Sequence, residues 1–174
     1  MKKQIVYCKF IPRVFAISFD LLIISATISK VISLFYNIMF YFMFRNLFSN
    51  EENLNMWNAT HIASMSKEFI EQFAADPNSM QKFLILQIAT FIPLFCMIGG
   101  YFVFFWSKFE ATPGAMIMGM KVVDADNLET ASTKNLIKRY LGFMISIIGA
   151  WYILFNPRRM ALHDKIANTV VIKK

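Results

Sequence analysis

Charge is scarce in this sequence, and the residues on which many catalytic sites depend are few. Charged residues make up 17% of the 174 residues, against roughly 25% in an ordinary soluble domain. The two cysteines, Cys8 and Cys96, do not have the spacing of metal ligands. No nucleophile elbow, phosphate-binding loop or zinc motif is present. These absences argue against a soluble enzyme, and we predict no catalytic residue, no cofactor and no metal site.

Long apolar runs are the main feature of the chain. Apolar residues make up 57% of it, including 19 phenylalanines, above the roughly 45–50% of a soluble domain. Residues 83–106 form an uncharged run of 24 residues, longer than the ~20 residues that cross a hydrocarbon core. A second run, 14–44, contains only Asp20 and Lys30 as charged residues. We therefore predict an integral membrane protein with two transmembrane helices.

Basic residues predict the orientation of the chain. Lysine and arginine dominate the first 13 residues, the segment 108–139 and the tail after Asn156, whereas the segment 45–82 carries five acidic residues. Because basic residues mark the cytoplasmic side of a span, we expect the N-terminus, 108–139 and the tail in the cytoplasm. The net charge of +7 then follows from topology and suits anionic lipid, so that nucleic acid is not needed as a partner. We expect the segment 46–82 to be an external loop that contains an amphipathic helix. Its apolar residues recur at helical spacing: Ile62, Met65, Phe69 and Phe73.

A third apolar run, 141–155, leaves two alternatives open. A full crossing of the segment 135–156 would place the basic tail outside, against the charge rule. The segment is therefore either re-entrant or interfacial, with Gly149 as a point where a helix can break, or a plain third span. Residues 120–123 and 169–172 have the character of short strands, which must lie on one side if they pair. The predicted fold class is thus an all-α membrane protein with two transmembrane helices, a third helical segment and a small cytoplasmic β-hairpin.

Charged side chains within the predicted spans are the best candidates for a functional role, because charge inside a bilayer is costly. Arg13 and Asp20 lie on one helix face, about 10 Å apart along the axis, and Asp164 can reach the same cytoplasmic end. This set is either an ion-pair network that joins three segments or a proton or cation path. His163 is expected to form a hydrogen bond at the membrane surface.

The sequence resembles the RDD family of small membrane proteins, which is named for an arginine and two aspartates. The matching residues are Arg13 and Asp20 in RVFAISFD and Asp164 in LHDKIANTVV. The middle of the chain also matches, through the ATPG turn that holds Thr112 and Gly114, the run MGMKVVD and the basic residue Arg139. Two positions depart from the family pattern: Ala115, where many relatives have lysine, and Asn168, where glycine is usual.

The resemblance implies one membrane domain over 1–174 in the cytoplasmic membrane of a bacterium, multi-pass, with the N-terminus in the cytoplasm. Some members of the family have been associated with sodium/proton exchange, and a eukaryotic branch with the assembly of membrane complexes. The two functions expected are therefore cation/proton transport through Arg13, Asp20 and Asp164 in a homo-oligomer, and a non-catalytic assembly or scaffold module that binds other membrane proteins. In either case Thr112, Gly114, Arg139 and His163 are expected to support the three charged residues.

Overall fold

The structure, a computed structural model, describes residues 6–48, 57–145 and 152–174. Within these residues it is mostly helical, with one small sheet. The helices in chain order are α1 (Phe10–Phe44), α2 (Ala59–Met65), α3 (Lys67–Ala75), α4 (Ser79–Phe109), α5 (Pro113–Ile117), α6 (Thr133–Ile145) and α7 (Leu162–Ile166). The strands are β1 (Met120–Asp124) and β2 (Thr169–Lys173).

Two helices are long and apolar enough to cross a membrane, as the sequence predicts. The candidate spans are Phe10–Leu47, in which a 3-10 turn extends α1, and Ser79–Phe109, which is α4. Both are apolar over most of their length, which is typical of helices in lipid. Only 22% and 17% of their most apolar stretches are buried within the chain. Most of their surface is therefore available to lipid or to other protein.

The predicted strands form and pair with each other. β1 and β2 are antiparallel, with Met120 opposite Lys173 and Asp124 opposite Thr169. Tyr7, ahead of α1, forms a bridge with Ile172. The predicted pairing is therefore confirmed, although the two strands do not form a hairpin in the strict sense, because residues 125–168 separate them and contain α6 and α7. The pairing instead joins parts that are far apart in the sequence. It brings the N-terminal segment, the segment after α4 and the C-terminal strand together in one sheet.

The contacts divide the chain into two compact units, which are described separately. The sheet unit comprises Met1–Ile24 and Ile98–Lys174, and the aromatic unit comprises Ser25–Met97. In the aromatic unit, phenylalanines from the end of the first span pack against those of α3, with ring centroids 4.7 Å apart for Phe48 and Phe69. Phe44 is fully buried in this cluster.

The amphipathic helix predicted in the segment 46–82 is present as two short helices, α2 and α3. The break lies at Ser66, whose hydroxyl accepts a hydrogen bond from the backbone N–H of Phe69 (3.2 Å) and so caps the start of α3. Phe69 and Phe73 pack on the aromatic cluster, as their spacing indicates. The side chains of Ile62 and Met65 lie outside the described part.

The third apolar segment begins as a regular helix. α6 starts at Thr133 after Ser132, whose hydroxyl accepts from the N–H of Asn135 (3.3 Å). Gly149, predicted as a break point, belongs to residues 146–151, which lie outside the described residues. Ahead of this segment, residues 113–117 form α5 rather than a strand or loop, because Thr112 caps that helix and Pro113 occupies its first position.

Asn168 adopts a positive φ of 50°, which explains why glycine, or asparagine here, suits that position.

Candidate functional site

The sheet unit contains two buried carboxylates, each held by a different set of donors. Asp164, in the first turn of α7, is fully buried. Arg13 of α1 donates to its Oδ2 atom (2.5 Å), and Arg139 of α6 donates to its Oδ1 atom. The backbone N–H of Ala161 also donates to Oδ2 (2.9 Å). Asp164 therefore joins α1, α6 and α7, and we call this group of residues the Asp164 clamp.

The clamp is extended by contacts of its two arginines. Arg13 also donates to the carbonyl oxygen of Arg159 (2.7 Å). Arg139 also donates to the hydroxyl of Thr169 (2.8 Å), at the start of β2, and its guanidinium lies 5.0 Å from the ring centroid of Trp106. An arginine paired with a carboxylate and stacked on an indole ring is a stable buried arrangement. The clamp therefore links the first span to both the third helical segment and the sheet.

The electrostatics of the clamp keep Asp164 ionised. Burial by itself would raise its pKa, but Arg139 and Arg13 outweigh burial and hold the pKa of Asp164 well below its usual range. Burial lowers the pKa of His163 from 6.5 to about 4, and the two arginines add to this while Asp164 opposes it. His163 is thus a neutral imidazole at pH 7. With Asp164 ionised and both guanidiniums charged, the cluster carries a net charge of +1.

Asp20 is the second buried carboxylate, with 2% of its surface exposed. It accepts three hydrogen bonds: from the hydroxyl of Thr112 (2.5 Å), the backbone N–H of Gly114 (2.9 Å) and the hydroxyl of Tyr101 (3.0 Å). The hydroxyl of Thr112 also accepts from the N–H of Ala115 (3.3 Å). Asp20 therefore fastens the turn at the start of α5 to the first span, and we call this group the Asp20 latch.

The latch depends on a close approach between Gly114 and α1. A Cβ atom on Gly114 would lie 2.8 Å from the carbonyl carbon of Ala16 and 3.1 Å from its Cα atom. Real Cβ atoms are essentially never so close to backbone. Glycine is therefore required at position 114 for its N–H to reach Asp20.

A cavity of about 140 Å³ lies in the sheet unit, and both groups border it. Arg13, Asp20, Arg139 and His163 contribute to its wall, which is otherwise mostly apolar and includes Phe10, Phe102, Trp106 and Phe143. About 10–15 Å³ of such volume holds one water molecule, so the cavity has room for a larger group.

The structure brings together the residues singled out from the sequence, but in two sets rather than one network. Arg13, Arg139, His163 and Asp164 meet in the clamp, whereas Asp20, Thr112 and Gly114 meet in the latch. Sequence reasoning missed Tyr101, Trp106 and Thr169. Tyr101 and Trp106 lie at the end of a long apolar run, where a hydroxyl and an indole give no distinct signal. For Thr169, the only signal in the sequence that could have pointed to the site was its position five residues after Asp164.

Comparison with known proteins identifies the family of the chain. An uncharacterized protein of Rickettsia prowazekii (strain Madrid E) is 37% identical over 174 residues, which is 99% of each chain. No solved structure matches the chain. The model of the RDD family matches residues 7–168, a range that includes Arg13, Asp20, Arg139 and Asp164. The chain therefore belongs to the RDD family, a family of small membrane proteins.

Proposed function

We propose that this protein is a non-catalytic assembly module of a bacterial cytoplasmic membrane. The observation that carries the proposal concerns the two buried carboxylates. The oxygens of both accept hydrogen bonds from side chains and backbone groups of the chain itself. Asp164 accepts from two arginines and a backbone N–H, and Asp20 accepts from two hydroxyls and a backbone N–H. Each carboxylate thereby joins separate elements of the chain, which suits a rigid joint better than a site that exchanges protons.

The surface of the spans supports the same proposal. On α4, Ile88 and Phe91 have 62% and 63% of their surface exposed, whereas Leu86 is fully buried. Two spans are too few to build a transport core of the repeated kind, but they suit lateral contact with another membrane protein or a second copy of this chain.

A crosslinking experiment tests the assembly module. A photoreactive amino acid is placed at position 88 or 91, and at 86 as the buried control, and the protein is irradiated in native membranes. We expect an adduct of defined mass from 88 or 91, containing either one identified membrane protein or a second copy of this chain, and none from 86. Adducts with lipid alone at every exposed position of both spans would contradict the proposal.

Cation/proton exchange is the second candidate, and one observation favours it. Asp20 is a buried carboxylate within a candidate span and borders a cavity. In this alternative Asp20 takes up and releases the proton, and Asp164 lies at the cytoplasmic mouth of the path. Arg13 would act on Asp20 through the cavity, since its own hydrogen bonds go to Asp164 and Arg159.

Proton flux in proteoliposomes separates the two candidates. Wild type, Asp20→Asn and the exposed control Glu71→Gln are compared under sodium, lithium and potassium gradients. The assembly module predicts no cation-dependent flux in any of them. Flux in wild type and Glu71→Gln that is lost in folded Asp20→Asn would establish exchange instead.

We also propose that the segment 135–156 enters and leaves the membrane region on one side, with the N-terminus in the cytoplasm. The support is the sheet, because β1 precedes this segment, β2 follows it, and the two are paired. A single full crossing between them would separate the strands by the thickness of the bilayer. The basic charge of the N-terminal segment and tail favours the cytoplasm for this sheet.

A further inference from the structure

Three buried nitrogen atoms, on residues that line the cavity, have no hydrogen-bond partner among the residues that the structure describes. They are Nε of Arg13, Nε of Arg139 and Nδ1 of His163. All three residues line the same cavity, and Arg139 and His163 are more than nine-tenths buried. Buried polar groups are almost always paired. Three unpaired ones on residues that line one cavity point to a site for a ligand.

The three nitrogens favour an acceptor with negative charge. Both guanidinium Nε atoms carry a hydrogen and can only donate. The neutral imidazole of His163 can donate or accept through Nδ1. The two guanidiniums of the Asp164 clamp carry more positive charge than Asp164 balances, which favours an anionic acceptor. Asp20, the other acid on the cavity wall, is not the hydrogen-bond partner of these nitrogens, because its oxygens accept from Thr112, Gly114 and Tyr101.

The rest of the wall favours an apolar chain on the same ligand. The side chains of Phe10, Phe102, Trp106 and Phe143 face the cavity together with aliphatic residues. The cavity lies where α1 begins and α4 ends, at the point where the apolar spans meet the sheet. A molecule that fits both parts has a compact anionic head and a hydrocarbon tail.

We propose that this cavity binds a monoanionic amphiphile, whose carboxylate or phosphate oxygens accept hydrogen bonds from Arg13, Arg139 and His163 while its chain packs against the aromatic wall. The oxyanion comes from either a free fatty acid or the headgroup of an anionic phospholipid. This binding role is separate from the assembly role, and it requires neither a protein partner nor a titrating carboxylate.

Trp106 provides a direct probe of the cavity, because its ring is part of the wall and is 8% exposed. Trp57 and Trp151 are replaced by phenylalanine, so that fluorescence reports position 106 alone. The protein is placed in nanodiscs of phosphatidylcholine and titrated with ω-bromododecanoate, whose bromine quenches a nearby indole. Two amphiphiles of equal chain length serve as controls: ω-bromododecanol and ω-bromododecyltrimethylammonium.

We expect saturable quenching by the carboxylate and at least tenfold weaker quenching by the neutral and cationic amphiphiles. In a second arm the nanodiscs contain brominated phosphatidylglycerol or brominated phosphatidylcholine. Preferential quenching by the phosphatidylglycerol would identify the phospholipid as the source, and preferential quenching by the free carboxylate would identify the fatty acid. Equal quenching by amphiphiles of every charge would overturn the proposal, as would displacement of dodecanoate by inorganic phosphate at equal concentration.

Arg13→Lys tests the role of the guanidinium without removing the positive charge beside Asp164. Lysine has no Nε–H donor at this position, so we expect about tenfold weaker quenching by the carboxylate, the usual effect of one charge-assisted hydrogen bond. Lys121→Arg, a change outside the cavity at the residue paired with Glu110, is the control and should bind as wild type. Unchanged binding by a folded Arg13→Lys would contradict the proposed contact. Since the assembly module is tested by crosslinking on α4, the two proposals fail independently.

Discussion

At the scale of single residues, the energetics of this protein centre on ionised groups that are removed from water. Asp164 has no exposed surface, and two arginines share its oxygens. Breaking a buried ion pair from one side is much more costly than losing a surface pair, because the remaining charge stays buried. The consequences of substitution therefore differ sharply between residues of the same type.

Asp164→Asn should destabilise the protein by about 3–5 kcal/mol, because Arg13 and Arg139 would then remain buried without a counter-charge. Glu71→Gln removes the same charge from an exposed pair with Lys67 and should change stability by less than about 0.5 kcal/mol. Thermal unfolding of both variants in the same detergent measures the difference. Equal stability of the two variants would contradict the clamp.

His163 should make stability depend on pH. Its pKa is lowered to about 4 in the folded protein, against 6.5 in the unfolded chain, so the unfolded state binds more protons between these values. Stability is therefore complete above pH 6.5 and is lost as pH falls, by about 3 kcal/mol at most near pH 4.

His163→Gln should flatten the loss of stability between pH 7 and pH 5, since glutamine does not titrate. The exposed His61 supplies the control, and His61→Gln should retain the slope of wild type. Melting temperatures in detergent across this pH range provide the measurement. An unchanged slope in His163→Gln would show that another group is responsible.

At the scale of elements, the turn between α4 and β1 is fixed to the first span by the Asp20 latch. Gly114 permits this, because its missing side chain leaves room for the backbone of Ala16. The helix, the turn and the strand that follow each other in sequence are thereby held at one point on α1. A change at that point should affect the whole sheet unit.

Gly114→Ala should destabilise the protein by about 1–3 kcal/mol, the typical cost of overpacking, and should weaken the hydrogen bond to Asp20. Gly100 is a suitable control, since a Cβ atom there would meet nothing within 4 Å. Gly100→Ala should be neutral or slightly stabilising, because alanine is the better residue within a helix. Thermal unfolding distinguishes them, and equal behaviour would contradict the close approach.

The sequence predicts features that depend on neighbouring residues better than contacts between residues that are far apart in the chain. The strands and both long helices follow from local patterns, and the structure confirms them. The split of the amphipathic helix at Ser66 was not predicted, because a serine among polar residues is a weak signal. The partners of Asp20 were beyond sequence reasoning, because one is a backbone N–H 94 residues away.

At the scale of the whole molecule, the paired strands constrain the path of the chain through the membrane. Two helices are apolar enough to span, and the sheet joins residues before the first to residues after the second. The topology that we propose follows from this pairing, because residues paired in one sheet lie on one side of a membrane and an even number of crossings then separates them. This favours two crossings with an interfacial or re-entrant segment 135–156.

Single cysteines should report this topology after Cys8 and Cys96 are replaced by alanine. Cysteines at positions 9, 129 and 174 should react with a membrane-impermeant thiol reagent from one side, and Lys67→Cys from the other. Intact cells should label only Lys67→Cys, and inverted vesicles only the other three. Labelling of position 174 on the same side as position 67 would establish a third crossing.

The separation between Arg13 and Asp164 has a consequence for biosynthesis. The two residues are 151 positions apart, and chains are made at roughly 5–20 residues per second. The arginine therefore exists for about 8–30 s before the ribosome adds its carboxylate partner. During that interval the first helix has been made, yet the carboxylate that its arginine contacts in the folded protein has not. The contact between the first helix and α7 therefore forms only after nearly the whole chain has been made.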